Sequence, residues 1–369
     1  MATLKELLYP QVIFESVVNR VKKTNDTLQR FWGMQLGGPN IERIIGRTGS
    51  YDIFDNVRTL ASGRAPNTPA ATTSPQSVGQ QTIHCLRVHE KMPIYYEHIF
   101  PIRKLGRPST EVDAGGADYV ERQKGILRTR FDNTREFMVS GMMRGSFDIL
   151  VSGEDWIPVY SGGTFSVDFR IPSTNKSQVN GIITIPWSQT ANARIFEDVL
   201  AIDSYFTELH GWPLRHVWVN SVVWGYVTNN AGIRARSGTS NVVFERFSGL
   251  GQVNNKDVTI DDYEGELRCL PGIRWHIYNG GLSVNGSFTK FFPDTMAVFC
   301  IEPSKDIAAM AQGTEYVQEN EMTPAQEREV PYFWPQYVRE PAKVELVGLD
   351  IAMPMLKVPK AVAPATIVF

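Results

Sequence analysis

DYVERQKGILRTRFDNTREFMVSGMMR, Asp118–Arg144, is the stretch on which the fold class turns. Val120, Leu127, Phe131, Met138 and Met142 recur near a spacing of about 3.5 residues, with Thr134 filling the gap, which marks one apolar helix face. Asp118, with Glu121 three residues on, fits a capping box at the start, and Gly145 suits a left-handed cap at the end. At a rise of ~1.5 Å per residue this helix is roughly 40 Å long, beyond most helices of globular domains. Its outward faces are expected to carry Arg122, Lys124, Arg128, Arg130, Arg135 and Arg144, interleaved with Glu121, Asp132 and Glu136. Mixed signs of this kind read as a solvated or subunit-facing surface rather than a grip on nucleic acid. Gly125 inside the helix costs about 1 kcal/mol relative to Ala.

Outward from the helix toward the C-terminus the pattern turns to β. Phe147–Val151, Phe165–Ile171 and Ile182–Ile185 are strand-like and are separated by Ser152-Gly153, Ser161-Gly162-Gly163 and Asn180-Gly181. Ala191–His210 has helical spacing. His216–Trp224 alternates as a buried strand, and Asn220–Ala231 overlaps it as a short helix. Gly272–Glu302 reads as strands with Asn-Gly turns at Asn279-Gly280 and Asn285-Gly286. Ser304–Arg328 is polar and carries no clear pattern. The tail returns to strands at Val344–Val347, Ile351–Leu356 and Ala365–Phe369. The fold class predicted is α+β.

Toward the N-terminus lies a stretch of another kind. Ala61–Thr82 (ASGRAPNTPAATTSPQSVGQQT) has three prolines and no aromatic, Leu or Ile. Ordering such a chain costs on the order of 1 kcal/mol per residue in backbone entropy, and little apolar area offsets it. It is expected to be flexible, or ordered by something outside its own domain. Strand-like flanks at Tyr51–Leu60 and Ile83–Phe100 make it the tip of a protruding hairpin. Before it, Leu4, Leu7, Leu8, Phe14, Val17, Val18 and Val21 suggest an arm with helical pieces, interrupted by Pro10.

The chemistry the sequence advertises is slight. The net charge of −2 does not describe a polyelectrolyte built to hold phosphates. Cys85, Cys269 and Cys300 are widely spaced, sit beside apolar residues, and are expected as small buried hydrophobes. Met1–Pro10, with Lys5 and Glu6, lacks the apolar run of a secretory leader, and no stretch approaches a membrane span. No Walker A, Rossmann or GxSxG pattern is present, and His89-Glu90 is followed by Lys91-Met92-Pro93, so HExxH fails. His84, His89 and His98 lie close in sequence but match no ligand spacing. Asp257, Asp261, Asp262, Glu264 and Glu266 lack the EF-hand pattern and read as a solvated loop. Tyr332, Phe333, Trp334 and Tyr337 read as core or interface. No catalytic, cofactor-binding or metal-ligating residue is nominated, and no cofactor is expected.

The order of elements, with a few local strings, resembles a known family. Arg135-Glu136-Phe137-Met138 and Met142-Met143-Arg144-Gly145 close the helix before a strand. Phe291-Phe292-Pro293-Asp294-Thr295-Met296 precedes an apolar strand, Ala297–Ile301. Pro341-Ala342, then Ala352-Met353-Pro354-Met355-Leu356, then Ile367-Val368-Phe369 shape the tail. Together these resemble the major capsid protein E family of lambda-type tailed bacteriophages, with the Hong Kong 97-type capsid fold. Residues 232–266 match nothing in that pattern.

The resemblance implies an N-terminal arm over 1–47, an extended loop over 48–100, and a peripheral domain over 101–185 with a spine helix at 118–144. It further implies an axial domain over 186–323 and return strands of the peripheral domain over 324–369. It implies a virion structural protein, not an enzyme. Hexamers and pentamers of it would assemble in the bacterial host cytoplasm into an icosahedral shell around phage DNA, and packaging would expand that shell. A scaffold, a portal and a decoration protein are the implied partners, with DNA held without sequence specificity and no membrane. Ala61–Thr82 contains no Lys, so the Lys–Asn cross-link of some relatives is not expected. The alternatives are an encapsulin-like shell, another virion or tail subunit, or a soluble α+β enzyme with an unrecognised site.

Overall fold

The computed structural model describes residues 26–54, 78–95, 114–153, 155–236, 244–246, 263–267, 269–284, 287–318, 324–338 and 343–369. Along them run α1 (Thr27–Phe31), β1 (Ile41–Arg43), β2 (Thr48–Phe54), β3 (Val78–His84), β4 (Leu86–Tyr95) and the long α2 (Ala114–Arg144). Then come β5 (Ser146–Ser152), β6 (Asp155–Val159), β7 (Phe165–Asp168), α3 (Ile195–His210), β8 (His216–Val219), α4 (Ser221–Asn229) and α5 (Ala231–Arg236). The remaining strands are β9 (Phe244–Arg246), β10 (Tyr263–Leu267), β11 (Leu270–Ile277), β12 (Gly281–Val284), β13 (Ser287–Lys290) and β14 (Met296–Cys300). Last are β15 (Ala308–Gln312), β16 (Thr314–Val317), β17 (Gln326–Glu329), β18 (Tyr332–Val338), β19 (Lys343–Leu356) and β20 (Val362–Thr366). The chain divides into two compact units. One comprises Met1–Ser50, Thr82–Glu136 and Met310–Pro354, and the other Tyr51–Gln81, Phe137–Ala309 and Met355–Phe369.

The first unit is built on a sheet ordered β1-β15-β19-β18, with β4 also pairing β19. β19 is antiparallel to both β18 and β4. Its sequence, KVELVGLDIAMPML, reads as two strands broken at Gly348, yet it runs unbroken. The glycine serves close packing instead. A Cβ there would lie 2.4 Å from the Phe131 ring and 2.9 Å from Phe333, so only glycine lets α2 approach the strand this closely.

In the second unit a six-stranded sheet runs β20-β14-β8-β11-β10-β9. β8 and β11 are parallel, whereas β14 is antiparallel to both its neighbours. Asn220 ends β8 and starts α4 in one residue: its side chain accepts the Val223 N–H. The expected strand at His216–Trp224 therefore stops at Val219. Gly211, at φ +78°, closes α3. A smaller sheet, β6-β5-β7, follows α2 directly.

Several expectations are corrected. α2 begins at Ala114, so Asp118 is not its cap: a formed helix extends cheaply through neighbouring residues once nucleated. Ile182–Ile185 is not a strand. Val179 and Asn180 adopt left-handed φ values of +46° and +55°, and Ile183 N–H bonds back to the Gln178 carbonyl. Asp155–Val159, unassigned from sequence, is a strand through its pairing with β5. The polar stretch Ser304–Arg328 contains β15, whose partners β1 and β19 lie elsewhere in the chain, and β16, which pairs with β17 as a two-stranded hairpin. The strand expected at Ile83–Phe100 is divided: β3 pairs β2, and β4 joins β19. The hairpin tip, residues 55–77, lies outside the described residues, as do residues 1–25 of the arm.

Candidate functional site

Only part of the solvated or subunit-facing charged surface expected of α2 lies on the outside. Lys124, Arg128, Asp132, Arg135 and Glu136 are buried, while Ile126 is half exposed. Burial of charge is tolerable only where each group finds a partner. Arg135 meets Asp350 of β19 in a two-pronged pair, Nε to Oδ2 and Nη2 to Oδ1, both at 2.7 Å. Arg128 bonds Asp132 one turn on, at 3.0 Å. Glu136 accepts the N–H groups of Leu28 and Gln29 in α1. Burial lifts the Glu136 carboxyl to about 8, against the pull of those bonds, and lowers the Lys124 ammonium to about 8. The exposed members of the expected face are Glu121, Arg122 and Arg130, and Arg130 pairs with Glu90 of β4 at 2.9 Å.

Toward its C-terminus α2 becomes apolar all round. Phe137, Met138, Val139, Met142 and Met143 are all buried in the second unit. Phe137 stacks on Tyr160, the Arg144 guanidinium lies 3.8 Å over the same ring, and Ser140 bonds the Tyr160 hydroxyl. Gly145, at φ +94°, ends the helix as its sequence position suggests.

The histidines close in sequence do not gather among the described residues, in keeping with their lack of a ligand spacing. His84 Nδ1 lies 3.3 Å from the Thr48 hydroxyl, His89 stacks on Trp334, and His98 lies outside the described residues. A different pair meets instead. His216 and His276 are 60 residues apart, yet the parallel pairing of β8 with β11 brings His216 Nδ1 to 2.9 Å from His276 Nε2. His216 Nε2 reaches Glu302 at 2.9 Å, and Trp218 stacks on His276. Burial pushes both imidazoles below their ordinary range. No local spacing signals this chain of rings; only the register makes it.

Cys85 and Cys300 are buried and burial drives both thiols upward, whereas Cys269 is only half-buried, which corrects its expected place in the core. Of the acidic run, Glu266 accepts the Gly272 N–H across the β10–β11 turn, and Asp257, Asp261 and Asp262 lie outside the described residues. Trp334 is buried and stacks on Tyr332, while Phe333 packs on Phe131. Among the described residues no three metal-ligating side chains converge, and no helix is long and apolar enough to cross a membrane. The sheet β6-β5-β7 leaves Trp156 and Phe165 more than half exposed, with their rings 6.1 Å apart.

What these elements have in common is architectural. A 31-residue helix buries charged and apolar side chains alike, and strands from distant parts of the chain close the sheet it packs on. The family model for phage major capsid protein E matches residues 12–367. This chain belongs to the phage major capsid protein E family. Solved structures agree on the fold. A prophage protein of E. coli CFT073, described as a capsid protein, superposes with a TM-score of 0.58 at 14% identity, covering 98% of this chain and 99% of that one. A phage-related protein from Bordetella bronchiseptica RB50 gives a TM-score of 0.56 at 10% identity, covering 96% of both chains. No curated protein matches the sequence. The fold is α+β of the Hong Kong 97 type, with 26% helix and 42% strand among the described residues. As a member of the capsid protein E family the chain forms capsid shell and resides in the virion, and the role of its family is structural.

Proposed function

We propose that this capsid protein assembles as hexamers and pentamers into an icosahedral head shell that encloses phage DNA, and that assembly takes place in the bacterial host cytoplasm. The observation that carries this is the family match over residues 12–367. Under this reading 1–47 is the arm and 48–100 an extended loop laid over a neighbour. Residues 101–185 and 324–369 form the peripheral domain, and 186–323 the axial domain. A loop tip as poor in apolar residues as Ala61–Thr82 supports the assignment, because contacts with a neighbour would supply the ordering energy that its own domain does not. A scaffold and a portal direct assembly, and a small decoration protein holds the shell in place of a Lys–Asn cross-link. DNA lies against the interior without sequence recognition, and no catalytic, cofactor or metal site takes part.

Negative-stain electron microscopy with size-exclusion chromatography tests this, on the purified chain with and without a candidate scaffold protein. Closed shells, or rings of five and six subunits, are the expected result. A monodisperse monomer at high concentration with scaffold present would overturn it. A denaturing gel of assembled shells is expected to show single subunits and no covalent ladder.

A further inference from the structure

The sheet β6-β5-β7 has one apolar face, and among the described residues only one end of it is covered. Residues directly opposite each other on neighbouring strands share a face. The register therefore sets Phe147, Ile149 and Val151 of β5 beside Trp156 of β6 and Phe165 and Val167 of β7. At one end Phe147 is fully buried, its ring 6.2 Å from Phe137 and 6.0 Å from Phe169. At the other end Trp156 and Phe165 flank β5, and each is 55% exposed. Two large aromatics side by side on an open sheet suit an interface anchor better than a solvated face. Charge tells against a second copy of the same face as the occupant. Residues 145–169 include Asp148, Glu154, Asp155 and Asp168 and no Lys, Arg or His. Strand alternation puts Asp148 and Asp168 on the reverse face, and two such sheets laid together would still bring like charges close.

The N-terminal arm carries the complementary pattern. Phe14, Val17, Val18 and Val21 recur at the spacing of one helix face, and residues 12–23 hold Arg20, Lys22 and Lys23 against the single acid Glu15. A helix over that stretch would be about 18 Å long, and β5 spans about 23 Å, so the one can lie along the other. The family match begins at residue 12 and so takes in the whole stretch. We propose that the apolar face at Trp156 and Phe165 is the seat of residues 12–23 of a second copy of this chain, laid on it as an amphipathic helix. The contact completes a helix-on-sheet layer between subunits instead of within one. The inference rests on the ring assembly already proposed. Rings of five or six join head to tail, so a surface on one subunit meets a different surface on the next.

Photo-crosslinking in assembled particles tests the contact. A benzophenone amino acid replaces Phe165, whose exposure leaves room for it. These full-length chains are mixed with heavy-isotope-labelled chains that lack the probe, and the mixture is assembled with scaffold. Mass spectrometry is expected to find position 165 joined to peptides from residues 12–23, with the heavy form present in proportion to its share of the mixture. Crosslinks to the light arm alone would mean that each chain seats its own arm, and would overturn the inference. Crosslinks to another segment or to the scaffold, or none in closed particles, would overturn it equally. Trp156→Ser with Phe165→Ser, and separately Val17→Asp with Val18→Asp, should each cut the yield of closed particles about tenfold or more and leave the urea midpoint of the unassembled subunit unchanged. Full yield from either pair would also count against the contact. Unsubstituted chains that form no particles with scaffold would remove the assembly reading and this inference together. Particles in which position 165 misses residues 12–23 would remove this inference alone.

Discussion

The two halves of α2 bury side chains by opposite means. In the first unit, Lys124 to Glu136 brings charged side chains inside, and geometry compensates them: Arg135 by a two-pronged carboxylate, Arg128 by Asp132, and Glu136 by the backbone of α1. In the second unit, Phe137 to Met143 is apolar apart from Ser140, whose hydroxyl bonds the Phe137 carbonyl and Tyr160. The apolar half needs only volume in the right place. The charged half needs each partner in register, since a buried ion without its partner costs several kcal/mol. One helix thus carries a permissive stretch and an exacting one, end to end.

Substitutions should separate the two. The largest effect is expected at the exacting half: Asp350→Ala leaves the Arg135 guanidinium buried and uncompensated, and should lower stability by about 3–5 kcal/mol in urea unfolding of the subunit. Replacing both partners with apolar residues of similar size should recover most of that loss, and a double variant as weak as Asp350→Ala would contradict this account. In the permissive half, Met142→Ala should cost about 2–5 kcal/mol through the cavity it leaves, whereas Met142→Leu should cost less than about 1.5 kcal/mol. Gly348→Ala places a methyl against the Phe131 ring and should cost about 1–3 kcal/mol, read as a lower urea midpoint with an unchanged slope. The smallest effect belongs to the exposed side. Arg130→Ala removes a surface pair with Glu90 and should shift stability by less than about 1 kcal/mol, less still at high salt.

The contrast also explains what was legible beforehand. The helix was visible because its apolar spacing is local, and its end was visible because Gly145 is local. The burial of Arg128 and Arg135 was not, because a charged residue announces solvent unless its partner is known, and Asp350 lies 215 residues from Arg135. The same holds for His216 and His276, joined only through the register of β8 with β11. β19 read as two strands because Gly348 looks like a break until the ring that needs its space is in view. His84 and His89 were near in sequence alone: His84 closes β3, which pairs β2, and His89 lies on β4, which pairs β19.

The amino-acid sequence by itself determined the kind of protein: a long helix, strands after it, an apolar-poor insert before it, and an order of elements resembling the capsid protein E family. These depend on periodicity, turn residues and composition, which act over a few residues at a time. Only the tertiary structure decided which faces are buried, which charges are paired and where the chain's distant strands meet. Those outcomes depend on contacts between residues tens to hundreds of positions apart, and the energy of a buried charge is set by the partner it meets there, not by its neighbours in sequence.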